Sequence, residues 1–283
     1  MNDTKLETRG REVWFEVDGV RLFAVDSGAG SPVVFLHGGL ADHRAALFRV
    51  AGLATAHRLI TPDLRGSGRS IHAGELSWDR LADDVAALLE HLGLERAVVG
   101  GTSMGSAVAL RFALRHPGHL QGLILMSPLY PGADRPLSRA AIDAMETMSA
   151  AGERVLEHGV TALLPLYESL PPPVRDVAIA MMLGFDAASV AATTRFLASN
   201  EQPIATAREL DAIDAPVLVL PGIDPQHPAE VAALYAEHLQ HPRVVEQTSP
   251  EMMNELVKFC RDAAVLTFAA GARSSAGTSR RTP

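Results

Sequence analysis

Val98-Val99-Gly100-Gly101-Thr102-Ser103-Met104-Gly105-Ser106-Ala107 is the stretch whose reading decides the fold. An apolar run enters it and a helical pattern leaves it. The Gly-x-Ser-x-Gly set of Gly101, Ser103 and Gly105 therefore falls between a strand and a helix. In that setting the serine is expected on a sharp turn with an unusual backbone conformation. A side chain two residues before or after it would collide with the neighbouring strand or helix. The helix opening near Met104 aims free N–H groups and its positive dipole end at the site, which favours a developing oxyanion. Ser103 is the candidate nucleophile, and the Met104 N–H a candidate oxyanion donor.

Outward from this stretch, short apolar runs alternate with helical patterns. Val13–Val17 and Val20–Val25 flank Asp18-Gly19 and predict a hairpin. Pro32–Leu36, Arg58–Thr61, Ala97–Val99, Gly122–Met126, Pro216–Leu220 and Val244–Val245 suit strands buried on both faces. The predicted fold class is α/β, a doubly wound, mostly parallel sheet. The alternation fails between about 131 and 214. Helical segments near 137–150, 152–167, 172–184 and 187–199 are expected there, forming a cap inserted over the carboxyl ends of the strands. The expected organisation is a core of residues 1–130 and 215–270, a helical cap over 131–214, and a disordered tail over 271–283. Met145, Met148, Leu163, Leu164, Met181, Met182, Phe185 and Phe196 suggest an apolar roof and an apolar substrate part.

Two further runs follow predicted strands. His37-Gly38-Gly39-Leu40 offers the Gly39 N–H as a second oxyanion donor, although a tight turn needing glycine explains the pair equally well. Asp63-Leu64-Arg65-Gly66-Ser67-Gly68-Arg69-Ser70 follows the next strand. This ordered set, with Gly-Thr-Ser-Met-Gly third, resembles the α/β-hydrolase superfamily with an inserted cap, over about residues 13–268. The resemblance implies a Ser-Asp-His triad in that chain order, and a bracing, non-catalytic role for the Asp63–Ser70 run. It points to Asp224 as the acid, at a strand end with Pro228 four residues on. The alternative reading of an Asp there is an Asx-turn or helix cap.

The histidine that the resemblance implies after the final strand is missing. That region reads Arg243-Val-Val-Glu-Gln-Thr-Ser-Pro-Glu, and no histidine follows His241. A serine hydroxyl needs a base to take its proton. Of the eleven histidines, His227 is the candidate replacement, because it shares the Asp224 loop. The alternative is a loop-ordering or substrate-binding residue, since two side chains three apart are close for one to orient the other. His37 is expected to be structural, and His43 to lie near the mouth.

Composition narrows the classes. The 283 residues are 47 % hydrophobic and 20 % charged, with net charge −8 and one cysteine. Nucleic-acid and anionic-membrane partners are disfavoured, and a small-molecule substrate in a reducing, cytoplasmic setting is expected. No metal-ligand spacing, phosphate loop or dinucleotide fingerprint occurs, so no cofactor is expected. The leading expectation is a cofactor-independent serine hydrolase of an ester, thioester, lactone or related carbonyl compound. A non-hydrolytic lyase, cyclase or isomerase, or a ligand-binding pseudoenzyme on the same fold, stays open.

Overall fold

Strands rich in Val, Leu and Ile, with no polar alternation, bury both faces in the middle of the sheet, whereas the edge strands Arg11–Val17 and Pro242–Val244 leave residues exposed, so the expected burial on both faces fails for the run at Val244. In the computed structural model, which describes residues 10–168 and 170–276, they form one eight-stranded sheet. Strands β1 (Arg11–Val17) and β2 (Val20–Gly28) make the hairpin. Asp18 and Gly19 at its turn have φ of 51° and 76°, the pair of left-handed residues that suits the twist of a two-residue loop. Strands β3 (Pro32–Leu36), β4 (Arg58–Pro62), β5 (Ala97–Thr102), β6 (Leu120–Met126), β7 (Val217–Leu220) and β8 (Pro242–Val244) follow. The spatial order is β1-β2-β4-β3-β5-β6-β7-β8. Only β2 runs against its neighbours.

Alternation along the strands sends side chains to two cores. Val34, Leu36 and Val99 face a core shared with α2 (Trp78–His91) and α3 (Met104–Arg115). Val33, Phe35 and Val98 face a core on the opposite side, shared with α1 (His43–Val50). Downstream, α8 (Ala229–His238) joins the first core through Val231 and Tyr235, and α9 (Met252–Ala276) joins the second through Leu256 and Phe259. Helix α9 continues past Gly271 to Ala276, so the helical periodicity outlasts the boundary that its small, polar residues suggest. Residues 1–9, and residues 277–283 of the expected tail, lie outside the described residues. No single helix among the described residues is long and apolar enough to cross a membrane.

Between β6 and β7 the chain is helical: α4 (Arg139–His158), α5 (Leu164–Tyr167), α6 (Pro172–Met182) and α7 (Ala187–Ala198). Helix α4 runs unbroken through the expected break near residue 151. Gly152 is a crossing point rather than a break, because a Cβ there would lie 2.0 Å from Thr194 Oγ1 of α7. The break comes at Gly159, with φ of 72°. Leu163, Tyr167, Met181, Met182 and Val190 pack into a third, smaller core among these helices.

Hydrogen bonds join this helical layer to loops at the carboxyl ends of strands. Tyr167 Oη donates to the Leu40 carbonyl at 3.0 Å, and Thr193 Oγ1 to that of Gly66 at 2.9 Å. The loop after β3 is itself braced by His37, which is fully buried. His37 Nε2 accepts the Leu64 N–H at 3.0 Å, which leaves Nδ1–H to donate to the Gly38 carbonyl at 2.7 Å. Burial pushes the imidazole pKa down, so the neutral ring suits both bonds. His43 is buried as well, bonded through Nδ1 to Asp63 Oδ1 at 2.7 Å, and is not among the residues that line the pocket at Ser103.

Two measurements check this bracing. Tyr167→Phe leaves the Leu40 carbonyl without its donor and should lower unfolding free energy by about 1–2 kcal/mol, read by urea denaturation. For His37, the depressed folded pKa means that its contribution is complete above the unfolded value of about 6.5 and is lost as pH falls through the folded value. The urea midpoint should therefore drop between pH 7.5 and 5.5, and drop less in His37→Asn.

Candidate active site

Ser103 sits at the apex between β5 and α3, with φ of 54° and ψ of −118°. An L-residue enters this region only when its surroundings over-determine it. Here they do. A Cβ on Gly101 would lie 2.4 Å from the Gly105 carbonyl carbon, and one on Gly105 would lie 2.5 Å from the carbonyl oxygens of Leu36 and His37. Ser103 N–H donates to Met126 O at 3.0 Å, and its carbonyl receives Ser106 N–H at 2.9 Å. The backbone is thus held from both sides while Oγ faces the pocket.

The turn after β3 approaches this apex closely, since a Cβ on Gly38 would sit 3.6 Å from Ser103 Cβ. Positive φ falls on Leu40, at 50°, and on neither glycine of the pair. The glycines therefore do not serve backbone freedom, as a tight-turn reading requires. Gly39 instead lies under Leu197, whose Cδ1 would be 2.9 Å from a Cβ there. Gly39 and Met104 both line the pocket at Ser103. Neither N–H donates to a protein acceptor among the described residues, which leaves both available to a negatively charged oxygen.

Beyond β7, residues 224–227 form a tight turn closed by His227 N–H to Asp224 O at 3.1 Å. Asp224 Oδ1 accepts the N–H groups of Gln226 and His227 at 2.9 and 3.0 Å. The Asx-turn reading is therefore correct, but it does not exhaust the residue. The same turn brings His227 Nδ1 to 2.9 and 3.0 Å from the two carboxylate oxygens of Asp224. A carboxylate only accepts, so Nδ1 carries the proton, and Nε2 accepts from Ser103 Oγ at 2.9 Å. A separation of three residues is workable because the chain reverses between them. The His227 side chain is 16 % exposed and that of Asp224 45 %, so water screens the carboxylate more than the imidazole.

Gly222 permits this placement. A Cβ there would fall 1.9 Å from the His227 carbonyl oxygen and 2.4 Å from its Cβ. After β8, where the resemblance implies a histidine, Gln247 Nε2 donates to Ser127 Oγ at 2.6 Å and to the Pro221 carbonyl at 2.7 Å. These bonds tie the ends of β6 and β7 together beside the Asp224 loop.

A pocket of about 200 Å³ rises from Ser103 and His227. Of the eight apolar roof residues expected from sequence, only Met145 and Met148 line it. Leu163, Met181 and Met182 are turned into the small helical core, and Phe196 packs on Trp78 at 4.9 Å. Leu129, Tyr130, Ala141, Ala144, Leu197 and Gln226 line the pocket without having been singled out. The spacing of Ala141, Ala144, Met145 and Met148 is that of one helix face and was available as a signal. The phase of α4 relative to the sheet was not.

Asp42, His43 and Asp63 approach within 4.8 Å of one another, close enough for a metal. Their carboxylate oxygens are already engaged, by Arg44 at Asp42 and by His43 and the Arg69 N–H at Asp63. The group is an internally satisfied brace.

Residues 31–171 match the family described as the alpha/beta hydrolase fold. An AB hydrolase superfamily protein of Bacillus subtilis, YisY, is 32 % identical over 221 residues, 72 % of this chain and 77 % of its own. Among solved structures, a thermophilic esterase from Thermogutta terrifontis superposes with a TM-score of 0.66 at 26 % identity, covering 93 % of this chain and 98 % of its own. Est816, described as an N-acyl homoserine lactone degrading enzyme, gives 0.66 at 26 % identity over 88 % of this chain and 99 % of its own. With its parallel sheet, serine turn and sequence relationship to these proteins, the chain belongs to the α/β-hydrolase superfamily.

Proposed function

We propose that this chain is a cofactor-independent serine hydrolase of an ester or related carbonyl compound, with Ser103 as nucleophile, His227 as base and Asp224 as the residue that orients it. The observation that carries the proposal is the unbroken hydrogen-bond chain from Ser103 Oγ through the imidazole to the carboxylate. The esterase and lactone-degrading relatives support the reaction class. The chain of bonds also weighs against a pseudoenzyme, which has no use for a base aligned on a strained serine.

In this reading the Ser103 Oγ–carbon bond forms as its proton passes to His227 Nε2. The carbonyl oxygen takes up negative charge and is held by the Gly39 and Met104 N–H groups. The bond to the leaving group then breaks, and His227 returns the proton to the departing atom. Water repeats the sequence: its proton goes to His227, its oxygen bonds to the acyl carbon, and Ser103 leaves reprotonated. The helical segment over 131–214 acts as a cap, supplying apolar walls that exclude water from the acyl-enzyme.

Fluorophosphonate should label Ser103 rapidly, as read by peptide mapping; a folded protein that resists labelling would defeat the proposal. His227→Gln should lower kcat by about 10²–10⁴-fold with KM little changed. Asp224→Asn should cost only about 10–10²-fold, below the ~10⁴ seen for buried triad acids, because its carboxylate is half-exposed to water. Gly222→Ala leaves every proposed catalytic side chain in the sequence yet displaces His227, and should reduce kcat nearly as far as His227→Gln.

A further inference from the structure

Two main-chain supports of the proposed site stand side by side where β6 and β7 end. Met126, the last residue of β6, accepts the Ser103 N–H at 3.0 Å. Pro221, the first residue beyond β7, precedes Gly222, which has no room for a Cβ against the His227 backbone. A displacement of Met126 and Ser127 therefore reaches the nucleophile, and one of Pro221 and Gly222 reaches the base. Main-chain bonding between the two strands closes with Ser127 N–H to Leu220 O at 2.8 Å. Beyond it the tie is a side chain: Gln247 Nε2 donates one hydrogen to Ser127 Oγ at 2.6 Å and the other to the Pro221 carbonyl at 2.7 Å.

The amide is itself held in place. Gln247 lies in a turn closed by Ser249 N–H to Glu246 O at 3.1 Å, two residues after Val245, whose N–H donates to Val219 O of β7 at 3.0 Å. Gln247 Oε1 accepts from Arg49 Nη1 of α1 at 3.2 Å. A guanidinium only donates and a carbonyl only accepts, so a single orientation of the amide satisfies both. Glutamate would keep the shape and gain an ion pair with Arg49, yet its carboxylate could not donate to Pro221. Ser127, at the far end of the tie, is buried at φ of 50°, a conformation that an L-residue keeps only where its surroundings impose it. We propose that Gln247 is a positioning residue of the proposed hydrolase reaction, on which this inference rests: its amide sets the separation of Ser103 Oγ and His227 Nε2 by joining the supports of both. The pairing of Asp224 with His227 lies within one turn and does not pass through Gln247. Loss of the amide therefore shifts carboxylate and imidazole together relative to the serine, and a misplacement on the order of 1 Å costs about 10²-fold in rate.

The test uses the full chain, with hydrolysis of p-nitrophenyl acetate and the rate of fluorophosphonate labelling at Ser103 as readouts. Gln247→Glu should lower kcat and the labelling rate by about 10–10²-fold and leave KM within about twofold of the parent. Gln247→Met, of similar length and without charge, should do the same, and keeps the test valid if the first substitution impairs folding. In a His227→Gln background, Gln247→Glu should change the residual rate by less than about twofold, because the imidazole that it positions is gone. A tie that merely supports the fold would cost the same factor in both backgrounds. Undiminished kcat in the folded variants, a loss confined to KM, or equal losses with and without His227 overturns this inference, while rapid labelling of Ser103 in the parent leaves the hydrolase reading standing. A folded parent that neither labels at Ser103 nor hydrolyses any ester overturns both.

Discussion

Backbone packed directly on backbone, where the first turn of α3 meets β3 and β5, is the constraint on which this architecture depends. At positions 101 and 105 no side chain fits, because the carbonyl groups of Leu36, His37 and Gly105 occupy the space. That contact holds Ser103 at positive φ and brings the turn after β3 within van der Waals reach of the serine. The candidate nucleophile and both candidate oxyanion donors thus belong to one rigid junction of main chain. Donors fixed in packed main chain are what electrostatic preorganisation requires.

Around it, the Asp63–Ser70 run acts as a clamp. Burial works against the charged form of Asp63, but the His43 hydrogen bond and charge outweigh it and hold the carboxyl below its ordinary range. One oxygen takes the N–H and Nδ1 of His43, and the other takes the Arg69 N–H. Gly68 has no room for a Cβ, which would come within 2.4 Å of Asp63 Oδ2. Ser70 Oγ accepts the Phe23 N–H of β2 and donates to the Asp63 carbonyl. The loop after β4, helix α1 and the antiparallel strand β2 are locked together beside the serine turn.

Much of this was legible in the sequence because it rests on local rules. A glycine two residues to either side of a serine, between a strand pattern and a helix pattern, already describes the contact at 101 and 105. Asp18-Gly19 describes its hairpin. What escaped depended on relations between distant segments. Gly152 reads as a helix break until Thr194 is known to cross it. Six of the eight expected roof residues lie away from the pocket at Ser103, and Leu163, Met181 and Met182 pack into the small core among the helices instead. His227 was identified by its loop, whereas the chain reversal that aims it needed Gly222, and nothing in the sequence says that Gly222 faces His227.

The placing of Asp224 and His227 within one turn makes Gly222–His227 a self-contained cassette. Where acid and base stand on separate loops, their mutual distance inherits the independent motions of two strand ends. Here it is fixed by a closed turn, and only the span from β7 to Ser103 remains to be kept. On the proposed reading the segment after β8 is released from chemistry; Gln247 there ties strand ends together. Fraying of α9, or a change of length between β8 and α9, would spare the pairing of carboxylate and imidazole. The same six residues form a unit short enough to graft onto a neighbouring strand end of another sheet of this type, carrying the orientation of the imidazole with them.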